Sequence, residues 1–189
     1  MANDVKQLVG LKEIRYGSPL PDGILTETDG MTLTEAAQAL IKAWKPLTQP
    51  YQGGVTINAT RPTSNKWYKE GAKYPAQSLR DPSSGGMTAT WRTMDYDAKT
   101  KAFYFGETSK ERADVFEREV GVAFISESGP MCIAARMKIT SIPGGGLASS
   151  GDPLLIDSEG EILAPVNGGI GWDVVNPITF SDEPSTGEE

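Results

Sequence analysis

The stretch EVGVAFISESGPMCIAARMKITSI, residues 119–142, decides the fold. Val120, Val122 and Phe124 occupy alternate positions. After Ser128-Gly129-Pro130 the alternation resumes, with Met131, Ile133, Ala135, Met137 and Ile139 facing one way and Arg136, Lys138 and Thr140 the other. A period of two with one polar and one apolar side is the signature of strands packed on a core by one face, so Glu119 to Ile142 reads as an amphipathic antiparallel hairpin. Burying five such side chains at about 1–3 kcal/mol each, before conformational entropy is subtracted, makes the apolar face a core element.

Toward the N-terminus, Leu11 to Tyr16 reads as a brief strand, closed by Gly17-Ser18-Pro19 and Pro21-Asp22-Gly23. Thr32-Leu33-Thr34-Glu35 has capping-box spacing. Ala36, Ala37, Leu40, Ile41 and Trp44 recur near the helical period until Pro46 forbids continuation, which predicts one helix over about Leu33 to Trp44. Val55 to Thr60 is a short β-like run. A long extended loop over about residues 61–86 follows, punctuated by Pro62, Pro75, Pro82, Gly85 and Gly86. It carries Trp67, Tyr68 and Tyr74 among Lys66, Lys69, Glu70 and Lys73. Its positive charge is small, so a protein contact surface is favoured over stacking of single-stranded bases. Met87 to Met94 is Thr-rich and strand-like, and a short helical turn or a hairpin joins it to Phe103-Tyr104-Phe105-Gly106. Near the C-terminus, Ser158-Glu159-Gly160 reads locally as the turn of a small hairpin, with one long strand as the alternative. Residues 1–180 form a single domain, and residues 181–189 are expected to be a disordered acidic tail.

The chain has 189 residues and a net charge of −7, with 21 glycines, 13 prolines, one cysteine and no histidine. Glycine and proline exceed their usual combined share of roughly 12%, which argues against a helical bundle. The acidic balance and the absence of a Lys/Arg cluster argue against sequence-specific nucleic-acid binding. Without histidine there is no Ser-His-Asp or Cys-His relay and no His-rich zinc site. The nearest acid pairs, Asp95 with Asp97 and Glu117 with Glu119, are better read as strand edges and turn caps than as glycosidic acids or a Ca²⁺ site. Residues 144–152 are glycine-rich but lack a P-loop ending. The match of Asn58-Ala59-Thr60 to a glycosylation acceptor carries almost no weight, since no secretion signal is expected. Cys132, among Met131, Ile133 and Ala134, reads as a small buried hydrophobe. No enzyme, cofactor or metal site is expected. The chain is also expected to be neither disulfide-stapled for export nor membrane-spanning.

An ordered series of segments resembles the major tail (tail tube) proteins of long-tailed bacteriophages, a family related in fold to the inner tubes of contractile injection systems. It begins with Gly10-Leu11-Lys12-Glu13-Ile14-Arg15-Tyr16-Gly17 and Pro21-Asp22-Gly23. Thr90 to Asp97 then runs toward Phe103-Tyr104-Phe105-Gly106. At the end come Ile133 to Thr140, a Gly/Ser loop, Asp152-Pro153-Leu154-Leu155-Ile156, and Ile162-Leu163-Ala164-Pro165.

The resemblance implies two packed antiparallel β-sheets, sandwich- or barrel-like, with one flanking α-helix and long loops. It also implies a continuous last strand and hexameric rings stacked into a hollow tube that conducts double-stranded DNA without binding it specifically. Tape-measure, tail-tip or baseplate, and tail-terminator proteins would be partners, and the protein would reside in the virion tail after synthesis in the bacterial host cytoplasm. Under this reading the inner-barrel wall is the hairpin bearing Val120, Val122, Phe124, Met131, Ile133 and Met137, all turned to the subunit core. The inter-ring contact is the loop with Trp67, Tyr68, Lys69, Glu70 and Tyr74. Two alternatives are a different β-rich virion component (tail terminator, neck or head decoration protein) and a carbohydrate-binding β-sandwich. The latter would use Trp67, Tyr68 and Trp91 as stacking platforms and Asp95 with Asp97 as acids.

Overall fold

The computed structural model describes residues 10–47, 54–60, 86–107, 116–144 and 155–180, together with the backbone of Ser64–Trp67 and Gln77–Arg80. The chain order is β1 (Leu11–Gly17), α1 (Glu35–Lys42), β2 (Lys45–Leu47), β3 (Thr56–Thr60), β4 (Ser64–Trp67), β5 (Gln77–Arg80), β6 (Gly86–Thr93), α2 (Ala98–Phe105), β7 (Glu117–Ser126), β8 (Met131–Gly144), β9 (Leu155–Ile162) and β10 (Trp172–Val175). The mainly β, antiparallel architecture agrees with the sequence reading. In place of two packed sheets there is one eight-stranded sheet, ordered β2-β1-β7-β8-β9-β6-β3, with β10 beside β8. Among the described residues two helices flank it instead of one. The sheet curls: a Cβ placed on Gly54, just before β3, would lie 3.5 Å from the Leu11 Cβ of β1, at the other end of the strand order. The result is an open, barrel-like roll.

The β7–β8 hairpin is the spine of this sheet, and it differs from a plain ladder at one point. Val120 pairs with Met137 and Val122 with Ala134, so Ala135 and Arg136 together oppose the single residue Gly121. A bulge of this kind inserts one residue and reverses which face later side chains take. Cys132 and Ala134 lie in the core inside the roll with Met137 and Ile139, whereas Met131, Ile133 and Ala135 lie in a second core on the opposite face. The uninterrupted alternation from Met131 to Ile139 in the sequence therefore conceals a change of face. This corrects the inference that all five odd-numbered residues share one side. On β7, Val120, Val122 and Phe124 face the inner core, and Ala123 and Ile125 the second one.

The second core forms under α1. The Thr34 hydroxyl caps this helix by accepting from the Ala37 N–H at 3.3 Å, while Thr32, the expected cap, donates its hydroxyl to Asp29. The buried stripe is narrower than expected. Ala37, Ile41 and Trp44 are buried, whereas Leu40 is 58% exposed. Trp44 lies flat on two glycines that pair across β1 and β7, Gly17 and Gly121; a Cβ on Gly121 would come within 2.6 Å of the indole. Any side chain at either position would lift the ring and open the core.

The inner core is closed by α2, capped by Asp97, which accepts the Thr100 N–H at 2.6 Å. Phe103 and Tyr104 enter from this helix. The Tyr104 hydroxyl accepts the Trp91 indole N–H at 3.0 Å, and burial pushes its pKa up to about 12. A helix therefore joins β6 to the Phe103 segment, the helical one of the two connections read from the sequence.

Two further readings change. The local hairpin at Ser158-Glu159-Gly160 is replaced by the alternative of one continuous strand, β9, which is not the last strand, since β10 follows it. Gly160 is not a turn residue: Met137 and Trp91 pack directly over its backbone, where a Cβ would collide. The long extended loop contains an antiparallel ribbon, with Ser64 opposite Arg80 and Trp67 opposite Gln77. The ribbon nests in sequence inside the β3–β6 pairing, where Thr60 lies opposite Gly86.

Candidate assembly surface

Past the bulge, the sheet face that α1 covers elsewhere is open. Two rows of side chains cross five strands on it. One runs Glu119, Lys138, Glu161, Thr88, Asn58, and the other Glu117, Thr140, Glu159, Thr90, Thr56. A shorter row of Ile142, Asp157 and Arg92 lies beside them. The acids hold the bases: Lys138 pairs with Glu117 at 2.9 Å, Arg92 with Asp157 at 2.8 Å, and Arg136 with Glu119. The hydrogen bond from Lys138 to Glu117 raises the ammonium pKa above its ordinary value. Glu159 and Glu161 add further negative charge, so this half of the sheet offers a hydroxyl-rich, net acidic wall.

Among the described residues, no strand pairs with either outer side of the same half-sheet. Among the described residues, β3 has no strand on its outer side. β1 ends at Gly17 opposite Gly121, which leaves the outer side of residues 117–120 of β7 without a strand as well. The β3 sequence, Thr56-Ile57-Asn58-Ala59-Thr60, contains none of the usual protections of an edge, neither proline nor charge. By contrast β2, the opposite end of the whole sheet, is three residues long and contains Pro46, whose nitrogen has no hydrogen to offer. Thr56, Asn58, Ala59 and Thr60 are exposed. Two open edges on opposite sides of one half-sheet can pair with each other between copies, which removes both.

The residues singled out in the sequence fall into place as follows. Val120, Val122, Phe124 and Met137 are buried in the inner core, and Met131 and Ile133 are buried on the other face beneath α1. Glu117 and Glu119 are brought together on the open wall. Asp97 is a helix cap, its carboxyl held below the usual range by the backbone hydrogen bond from Thr100. Trp91 is 3% exposed and packs edge-on against Phe124, which removes it as a sugar-stacking platform. Cys132 is buried, and desolvation pushes its thiol up to about 12, the behaviour of a core residue. Trp67 closes β4 opposite Gln77, and Tyr68, Lys69, Glu70 and Tyr74 lie outside the described residues, as do most of the glycine-rich segment and residues 181–189.

Sequence reasoning missed the unprotected edge at β3 and the acidic series Asp157, Glu159, Glu161 on β9. The spacing of two in that series was the available signal for a strand. Among the described residues, no group of three His, Cys, Asp or Glu side chains is placed to hold a metal ion, and no helix is long and apolar enough to cross a membrane. No protein-family model matches the chain, and no curated protein matches it.

Proposed function

We propose that this chain is a structural, non-catalytic subunit that assembles with copies of itself into hexameric rings stacked as the hollow tail tube of a bacteriophage. The observation that carries the reading is the half-sheet with two open edges. All neighbouring strands in β7-β8-β9-β6-β3 are antiparallel. With five strands the first and last run the same way, so β3 of one copy laid along residues 117–120 of the next forms a parallel seam. Such head-to-tail pairing uses different surfaces on the two partners and closes into a ring when the rotation between copies divides a full turn. The number six comes from the family resemblance.

In such a ring the open wall of Glu117, Glu119, Lys138, Glu159, Glu161 and the threonines faces the lumen. Its net negative charge repels DNA phosphates and lets the duplex slide. Val120, Val122, Phe124 and Met137 anchor the wall to the subunit core, and Met131 and Ile133 fix it to α1. The β4–β5 ribbon, with Trp67 at its end and Tyr68, Lys69, Glu70 and Tyr74 in the sequence joining its strands, reaches the adjacent ring, aromatic residues giving large contact area at low entropy cost. Tape-measure, tail-tip and terminator proteins meet the tube at its lumen and ends, and the site of action is the virion tail.

Negative-stain electron microscopy of the purified protein at rising concentration, beside a light-scattering mass, tests the reading. Hollow tubes or six-fold rings are expected, and the Trp67→Ala/Tyr68→Ala double variant is expected to give a folded subunit that stacks poorly. Closed rings of another symmetry, or glycan turnover, contradict it.

A further inference from the structure

The roll brings the start of β3 up to the start of β1, yet among the described residues no strand ladder joins the two. A cavity of about 200 Å³ lies between them. A second bulge builds part of its wall. In β1, Leu11 pairs with Ser126 and Glu13 with Ile125, so Lys12 is an extra residue and the strand changes faces there. Leu11 thereby joins Ile14 on the inner side. It lines the cavity with Val55 and Ile57 from the β3 end and with Phe124 and Cys132, which pair across β7 and β8. Phe124 and Cys132 are buried in the inner core, and Leu11, Val55 and Ile57 are half-buried against it.

The lining selects the ligand. None of the described lining residues carries a formal charge. Gly10 and Gly54, at φ +67 and +70, bring backbone alone. The hydroxyl of Ser126 is already engaged with the hydroxyl and the N–H of Ser128. The Cys132 thiol, its pKa pushed up to about 12, is un-ionised at neutral pH. A charged ligand would lose its hydration here without gaining a charged partner, whereas a neutral apolar one is driven in by leaving water. Size narrows the class further. A cavity of about 150 Å³ lined by aliphatic and aromatic side chains stays dry and holds benzene, and this one is somewhat larger.

We infer that this cavity is a binding site for a neutral, apolar small molecule with the bulk of about one aromatic ring. The inference stands apart from the tube reading, since it concerns the inside of the subunit; the ligand would tie β3 to β1 across the gap that no ladder spans. The test titrates the full chain, methyl-labelled at Leu, Val and Ile, with benzene and in parallel with benzoate, which has the same ring and a charge. Benzene is expected to shift the methyl signals of Leu11, Val55 and Ile57 in a saturable way, to leave those of Ile24 and Ile41 in the second core unmoved, and to raise the thermal transition with concentration. Benzoate is expected to bind about tenfold or more weakly. Two variants fill the space, Val55→Phe from the half-buried end and Cys132→Leu from the core. Each is expected to keep a thermal transition near that of the wild type and to bind benzene about tenfold or more weakly. If neither keeps that transition, the methyl map and the benzoate comparison decide the matter. Absent shifts, shifts spread equally over both cores, benzoate binding as tight as that of benzene, or undiminished binding by both folded variants overturn the inference. Benzene binding that disappears when the chain self-associates assigns the space to a side chain of another copy and overturns it as well.

Discussion

The two halves of the β7–β8 hairpin share strands, pairing and sequence character, yet they do different work. Before the bulge, residues 131–135 are buried on both faces, between the inner core and the layer under α1. Beyond it, Met137 and Ile139 are buried on one face, while Lys138 pairs with Glu117 and Arg136 with Glu119 on the other. One inserted residue separates a half that holds the subunit together from a half that presents a wall. Because the inserted residue reverses the faces, both halves keep an apolar side toward the inner core without any break in the sequence alternation.

The sharpest way to break this contrast is to insert one alanine between Arg136 and Met137. With the two-residue bulge kept opposite Gly121, Met137 and Ile139 would turn to the open wall while Lys138 turned inward. Loss of cooperative unfolding by circular dichroism is the expected result, and a stably folded product would show that the register past the bulge does not set the faces. In the doubly buried half, Ile133→Ala leaves a cavity beneath α1 and is expected to cost about 2–5 kcal/mol in urea unfolding. Gly121→Ala drives a methyl into the benzo ring of Trp44 and is expected to cost about 1–3 kcal/mol. Trp44→Phe removes the ring atoms it meets, so the double variant should lose less than the sum of the single losses, a coupling that a double-mutant cycle reads directly. On the wall, Arg92→Ala breaks an exposed ion pair with Asp157 and is expected to change stability by about 0–1 kcal/mol. A large loss there would mean the wall is part of the folding core.

The gradient of expected effects follows what the sequence does and does not encode locally. The hairpin, β1, β6 and the helix ending before Pro46 are legible because each carries its own period or stop signal. The face reversal at Ala135 and Arg136 is not, since strict alternation continues across it and the reversal shows only in the register of β8 against Gly121 of β7. The strand at Leu155–Ile162 was obscured by Ser158-Glu159-Gly160, a turn-like triplet whose glycine answers to Met137 packing from the neighbouring strand. Of the wall's acids only Glu117 and Glu119 were read as a pair, and the assembly of the acids into rows depends on the register of five strands. The open edge at β3 is a property of strand order, which no local pattern states.

The claim that joins fold to function is that β3 and residues 117–120 are edges awaiting another copy. Hydrogen–deuterium exchange, measured below and above the concentration at which the protein associates, addresses it directly. The half under α1 is expected to be protected in both states. The outward-pointing amides of β3 and of residues 117–120, those not bonded to β6 or β8, are expected to exchange fast in the dispersed subunit and to become protected on assembly. Fast exchange at both edges in the assembled particle would contradict the account.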